Sequence, residues 1–80
     1  MRLPRDLSGR QFAQLLRAVG YEVTRQVGSH IRVTTHRNGE HHPTIPDHTN
    51  LRVGTLSSAI GEAADHLGMT RDELLKLLLR

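Results

Sequence analysis

The chain predicts an α+β domain: one helix, three antiparallel strands, a second helix, then a short extra helix at the C-terminus. Three observations carry this. Apolar residues recur with helical spacing near both ends, at Phe12, Leu15, Leu16 and Val19 and again at Leu56, Ala59, Ile60, Ala63 and Leu67. Between them the pattern changes to apolar–polar alternation, the signature of half-buried strands. Glycine, asparagine and proline separate the alternating runs at hairpin distances.

The elements follow in order. Ser8-Gly9-Arg10-Gln11 has the form of a capping box, in which Ser8 bonds the Gln11 amide and Gln11 reaches back. It opens a helix from about Gly9 to Val19, and Gly20 stands where a left-handed residue ends one. Tyr21 to Arg25 alternates as a first strand, and Val27-Gly28-Ser29 is a turn. His30 to Thr35 is a second strand, and Asn38-Gly39 marks a hairpin. His41 to Ile45 is a third strand, kept short or at an edge because Pro43 has no amide to donate. Pro46 to Asn50 is loop. Gly54-Thr55 opens the second helix with Thr55 as its cap, and Gly68 closes it. Thr70-Arg71-Asp72-Glu73 repeats the capping box before a leucine-rich helix.

Consecutive strands with short links pair as an antiparallel meander, and the helices must cover its apolar face. This is a dsRBD-like α-β-β-β-α layout, the arrangement of double-stranded-RNA-binding domains, read as a single domain over residues 1–80. Alternation turns Tyr21, Val23, Ile31, Val33 and Ile45 toward the helices. The opposite face then carries Glu22, Thr24, His30, Arg32, Thr34, His42 and Thr44. It is wholly polar, with imidazole beside guanidinium.

Composition narrows the function. Eighty residues bury only about 60–65% of the unfolded surface, so the core is small. With no cysteine there is neither a disulfide, a thiolate zinc site nor a thiol nucleophile. No apolar run reaches the roughly 20 residues of a membrane helix. Met1 to Asp6 shows no apolar leader, which points to a cytoplasmic protein. The two aromatics, Phe12 and Tyr21, are too few for the stacking platforms of RRM, OB-fold or cold-shock domains. Eleven basic residues against 8 acidic ones give +3, and all but Lys76 are arginine. Guanidinium forks suit phosphate oxygens, although a GC-rich coding sequence produces the same bias. Six histidines add groups suited to proton transfer near neutral pH. A histidine-only zinc site from His36, His41, His42 and His48 lacks finger spacing and the usual cysteines, so no metal is expected.

Four short elements then occur in order: Gly20-Tyr21, Gly28-Ser29-His30, Ile45-Pro46-Asp47-His48 and Gly54-Thr55-Leu56. Each alone is weak. Together, at this spacing and on this element order, they make the chain from about Ser8 to Gly68 resemble the HicA toxins of bacterial and archaeal toxin–antitoxin modules. The resemblance implies a metal-independent endoribonuclease that cleaves mRNA and needs no cofactor, with a HicB-like antitoxin covering its active face. It assigns the catalytic histidine to His30, the turn that presents it to Gly28 and Ser29, and a second histidine to His48. Two features depart from the family pattern. The tail Met69 to Arg80 is longer and richer in leucine, suiting a dimer contact, an antitoxin contact or plain core. The His41-His42 pair is not part of the motif.

The chemistry fits these residues. RNA supplies its own nucleophile, the 2′-hydroxyl, so a metal-free enzyme needs a base and a neutraliser for the phosphate. His30 suits the base, Arg32 the phosphate, and the Gly28 and Ser29 amides can add hydrogen bonds. The leaving 5′-oxygen takes its proton from His48, His42 or water. The expected products carry a 5′-hydroxyl and a 2′,3′-cyclic phosphate. Arg25 is a further phosphate contact, whereas Arg10 and Arg17 read as ordinary solvated helix charges. His36, His41 and His66 read as hairpin or helix-surface residues. Two other functions fit less well. A non-catalytic double-stranded-RNA-binding module needs more basic charge at a helix N-terminus than Arg52 alone provides. A helix-turn-helix DNA reader needs base-reading side chains where the last helix has leucine.

Overall fold

The computed structural model describes residues 6–80. The stretch before them, in which no leader was read, lies outside the described residues. Seven elements follow in order: α1 Gly9–Leu15, a 3₁₀ turn Leu16–Val19, β1 Glu22–Val27, β2 His30–Thr34, β3 Thr44–Pro46, α2 Val53–Leu67 and α3 Arg71–Leu78. The strands form one antiparallel sheet in the order β1-β2-β3. The expected α+β architecture is therefore present.

Both capping boxes form. Ser8 Oγ accepts from the Gln11 amide at 3.0 Å and Gln11 Oε1 from the Ser8 amide at 2.9 Å. Thr70 and Glu73 do the same for α3, at 3.1 and 2.8 Å. The Thr70 amide, donating to Glu73 Oε1, does most to hold the Glu73 carboxyl below its ordinary range, and the Thr70 hydroxyl adds to the effect.

The core gathers one face of every element. Phe12, Ala13, Leu16 and Val19 from the first helical segment meet Tyr21, Ile31, Val33 and Ile45 on the sheet. Leu56, Ile60, Ala63 and Ala64 of α2 and Leu74, Leu75 and Leu78 of α3 close the cluster. α1 packs against all three strands, and α3 against α2 and the 3₁₀ turn. The leucine-rich tail is thus core. Arg71 pins its start to α2 by donating to Ser57 O at 2.9 Å and Ser57 Oγ at 2.7 Å.

Several features differ from the sequence reading, each for a physical reason. The first helix tightens to 3₁₀ over Leu16–Val19, the usual way a last turn satisfies its carbonyls, before Gly20 closes it at φ 99°. β1 runs on to Val27, because a bulge between Val23 and Arg25 adds a residue to that strand. Val23 lies opposite the buried Val33 as expected, yet is 46% exposed, since it stands on the edge strand beside an open groove. β3 is cut to Thr44–Pro46. Pairing resumes only as a Thr35–His41 bridge, because Pro43 accepts from the Val33 amide at 3.0 Å but cannot donate back. α2 starts one residue early at Val53 with Arg52 as its boundary, so Thr55 lies inside the first turn and does not cap it.

Candidate functional site

The open face of the sheet is built by β2 and its two neighbours. His30 and Arg32 are two residues apart on β2 and both exposed, while Ile31 and Val33 between and beyond them are buried. Alternation produces this: the core claims one set of side chains and leaves the other in solvent. Gly28 and Ser29 form a two-residue loop between the paired Val27 and His30. Gly28 has φ +58° at the first loop position, as a type II′ hairpin turn requires. His30 is therefore the first residue out of the tightest turn in the sheet.

The bulge decides what surrounds it. Before the bulge Glu22 is opposite Thr34. After it Arg25 is opposite Arg32, Gln26 opposite Ile31 and Val27 opposite His30. Arg25 is thereby moved onto the open face and Gln26 onto the helix side. Like charges placed directly opposite each other repel. Among the described residues the ion pairs are Arg10–Asp47, His36–Glu40, His41–Glu62 and His42–Glu40. Neither Arg25 nor Arg32 belongs to one.

Hydrogen bonds tie the far part of the face together. The Thr24 and Thr34 hydroxyls are 2.8 Å apart, and Thr34 Oγ1 is 3.0 Å from His42 Nδ1. His42 Nε2 lies 3.4 Å from Glu40, so both its ring nitrogens are turned to neighbours. His48 follows β3 on an exposed segment whose backbone is anchored at two points. Asp47 N–H donates to Ser29 O at 2.7 Å, and Gly9 N–H to His48 O at 2.9 Å. Gly28, Ser29, His30, Arg32 and the His48 backbone thus share one end of the sheet, while His42 lies further along it.

Two readings of charged residues are corrected. Arg10 is not simply a solvated helix charge: Nη2 donates to Asp47 Oδ2 at 3.1 Å and to Gln26 Oε1 at 3.0 Å. His41 and His66 are not plain surface residues. Their rings stack with centroids 4.4 Å apart. His41 Nδ1 is 2.7 Å from the hydroxyl of the buried Tyr21, and its Nε2 is 3.6 Å from Glu62. The tautomer that fits both contacts carries its proton on Nε2. His66 Nε2 donates to Arg37 O at 3.0 Å and Gly39 O at 2.9 Å, locking the Asn38-Gly39 loop onto α2. Burial, reinforced by the Glu62 charge, pushes the Tyr21 hydroxyl up to about 12, so it remains a hydrogen-bond donor at neutral pH. This cluster is structural, and it lies on the helix side of the sheet. Sequence periodicity could not reveal it, since Tyr21, His41 and the Glu62–His66 pair of α2 come from three separate segments. Among the described residues no group of three histidines or carboxylates is gathered to hold a metal, and no helix is long and apolar enough to cross a membrane.

Residues 9–64 match the family model described as the HicA toxin of bacterial toxin-antitoxin. The chain belongs to the HicA toxin family. It is a toxin of a toxin–antitoxin module, and membership implies an antitoxin partner. No curated protein and no solved structure matches it. The HicA match takes in the whole sheet and most of α2, and α3 lies beyond it.

Proposed function

We propose that this HicA toxin is a metal-independent endoribonuclease that cleaves mRNA in the cytoplasm and is neutralised by a HicB-like antitoxin lying over the open face of its sheet. One observation carries the reading: an exposed imidazole, His30, stands beside two guanidinium groups that belong to no ion pair among the described residues. A cross-strand arginine pair costs stability unless an anion lies between its members. A phosphodiester strand provides such anions at regular spacing.

His30 removes the proton from the 2′-hydroxyl, which attacks the adjacent phosphorus. Arg32 and Arg25 neutralise the phosphorane as its charge builds, and the Ser29 turn amide adds a donor. The bond to the 5′-oxygen breaks, leaving a 2′,3′-cyclic phosphate. The 5′-oxygen takes a proton from His48 or from water. His42 is the weaker donor because both its nitrogens already face Thr34 and Glu40.

The test is incubation of wild type and His30→Ala with single-stranded and duplex RNA. Wild type should release fragments with 5′-hydroxyl and 2′,3′-cyclic phosphate ends, and His30→Ala should release none while keeping the wild-type melting curve. Cleavage by the variant at the wild-type rate removes His30 from the mechanism. Duplex retention without cleavage by wild type indicates a binding module.

A further inference from the structure

Beneath the Gly28-Ser29 turn lies a polar network that the cleavage chemistry does not itself use. Asp47 Oδ2 accepts from Arg10 Nη2 at 3.1 Å and from Gln26 Nε2 at 2.9 Å. Arg10 Nη2 also donates to Gln26 Oε1 at 3.0 Å, so the three side chains close a ring. Two further bonds run from this ring to the turn. Gln26 Nε2 donates to Gly28 O at 3.2 Å, and the Asp47 amide donates to Ser29 O at 2.7 Å. Both carbonyls of the turn are thereby tied to α1, to β1 and to the segment after β3.

The bulge makes this possible. Strict alternation through β1 would place Gln26 on the open face. The extra residue turns it to the helix side, where Arg10 and Asp47 meet it. Bulges near functional sites commonly re-aim a side chain in this way.

We infer that Asp47 and Arg10, bridged by Gln26, form a positioning clamp that holds the Gly28-Ser29 turn, and with it His30, in the geometry for reaction. The inference rests on the nuclease reading. A glycine-led two-residue turn is pliable, and a base displaced by about 1 Å can lose up to about 100-fold in rate. The clamp has a second consequence. Asp47 and Arg10 cancel each other's charge at the turn end of the sheet, so removing either one changes the field that an RNA phosphate meets on the open face.

These two roles separate in the kinetics. Asp47→Ala frees Arg10 and loosens the turn: kcat should fall about tenfold or more while KM stays level or falls. Arg10→Ala loosens the same turn but leaves the carboxylate bare: kcat should fall similarly while KM rises. The double variant should lose no more kcat than either single one, because the pair acts as a unit. A role confined to stability would lower Tm in all three without splitting KM. A second measurement needs no RNA. Hydrogen exchange at the Asp47 amide, which donates to Ser29, should speed up about tenfold in Arg10→Ala, although residue 10 is not a partner of that bond. Unchanged exchange, or KM moving the same way in both single variants, overturns the clamp. If wild type cleaves no RNA the nuclease reading falls, and the exchange measurement alone decides the clamp.

Discussion

Two glycines near helix starts should respond oppositely to the same substitution. Gly9 is buried at the start of α1, and its amide donates to His48 O at 2.9 Å. A Cβ built there collides with the carbonyl of Pro46, which is backbone and cannot swing aside. In Gly9→Ala the helix start must back away from β3. Overpacking of this kind costs about 1–3 kcal/mol, and losing the bond to His48 adds about 1 kcal/mol. The sum, about 2–4 kcal/mol, is a large part of the roughly 4–12 kcal/mol typical of an 80-residue domain. Gly54, in the first turn of α2, has nothing within 4 Å of its would-be Cβ and no positive φ. Gly54→Ala should therefore stabilise by about 0.5 kcal/mol through helix propensity alone. Urea unfolding followed by circular dichroism measures both, and the Gly9→Ala melting midpoint should drop by at least about 8 °C. A Gly9→Ala protein as stable as wild type would refute the close contact between α1 and the segment that carries His48.

Three further predictions concern the sheet and its surroundings. Gly28→Ala meets no neighbour but forces a side chain to φ +58°, so it should cost about 1 kcal/mol and lower cleavage by disturbing the residue before Ser29 and His30, as read by urea midpoint and RNA turnover. Arg25→Ala should weaken RNA binding with little change in Tm, and the slope of log K against log salt should become shallower by about 0.7 for the lost phosphate contact on a single strand. Tyr21 is raised in the folded state, so the stability it contributes is complete below about pH 10 and declines as pH rises toward about 12. Tyr21→Phe should flatten that alkaline decline in a pH series of unfolding curves, while losing stability at neutral pH because His41 Nδ1 loses its 2.7 Å partner.

Much of the fold could be read along the chain because its signals are local. Each capping box lies within four residues, Gly20 and Gly68 end helical segments as C-caps, and Pro43 breaks the third strand where its missing amide requires. The exposed positions of His30 and Arg32 also followed from a period of two and a core on one side. The bulge was legible in principle. Tyr21 and Val23 must share a face with Ile31 and Val33, yet a two-residue turn at Gly28-Ser29 pairs odd positions with even ones, and one extra residue in β1 resolves the conflict.

The chain by itself determined the order of elements, the apolar face of each and the imidazole on the open side, since short-range sterics, hydrogen bonding and periodic burial set all three. Tertiary structure decided which distant polar groups meet: Arg10 with Gln26 and Asp47, Tyr21 with His41, Arg25 across from Arg32. It also decided that Gly9 leaves no room for a methyl group while Gly54 does. Those outcomes depend on three-dimensional proximity between segments many residues apart, and no local pattern encodes that distance.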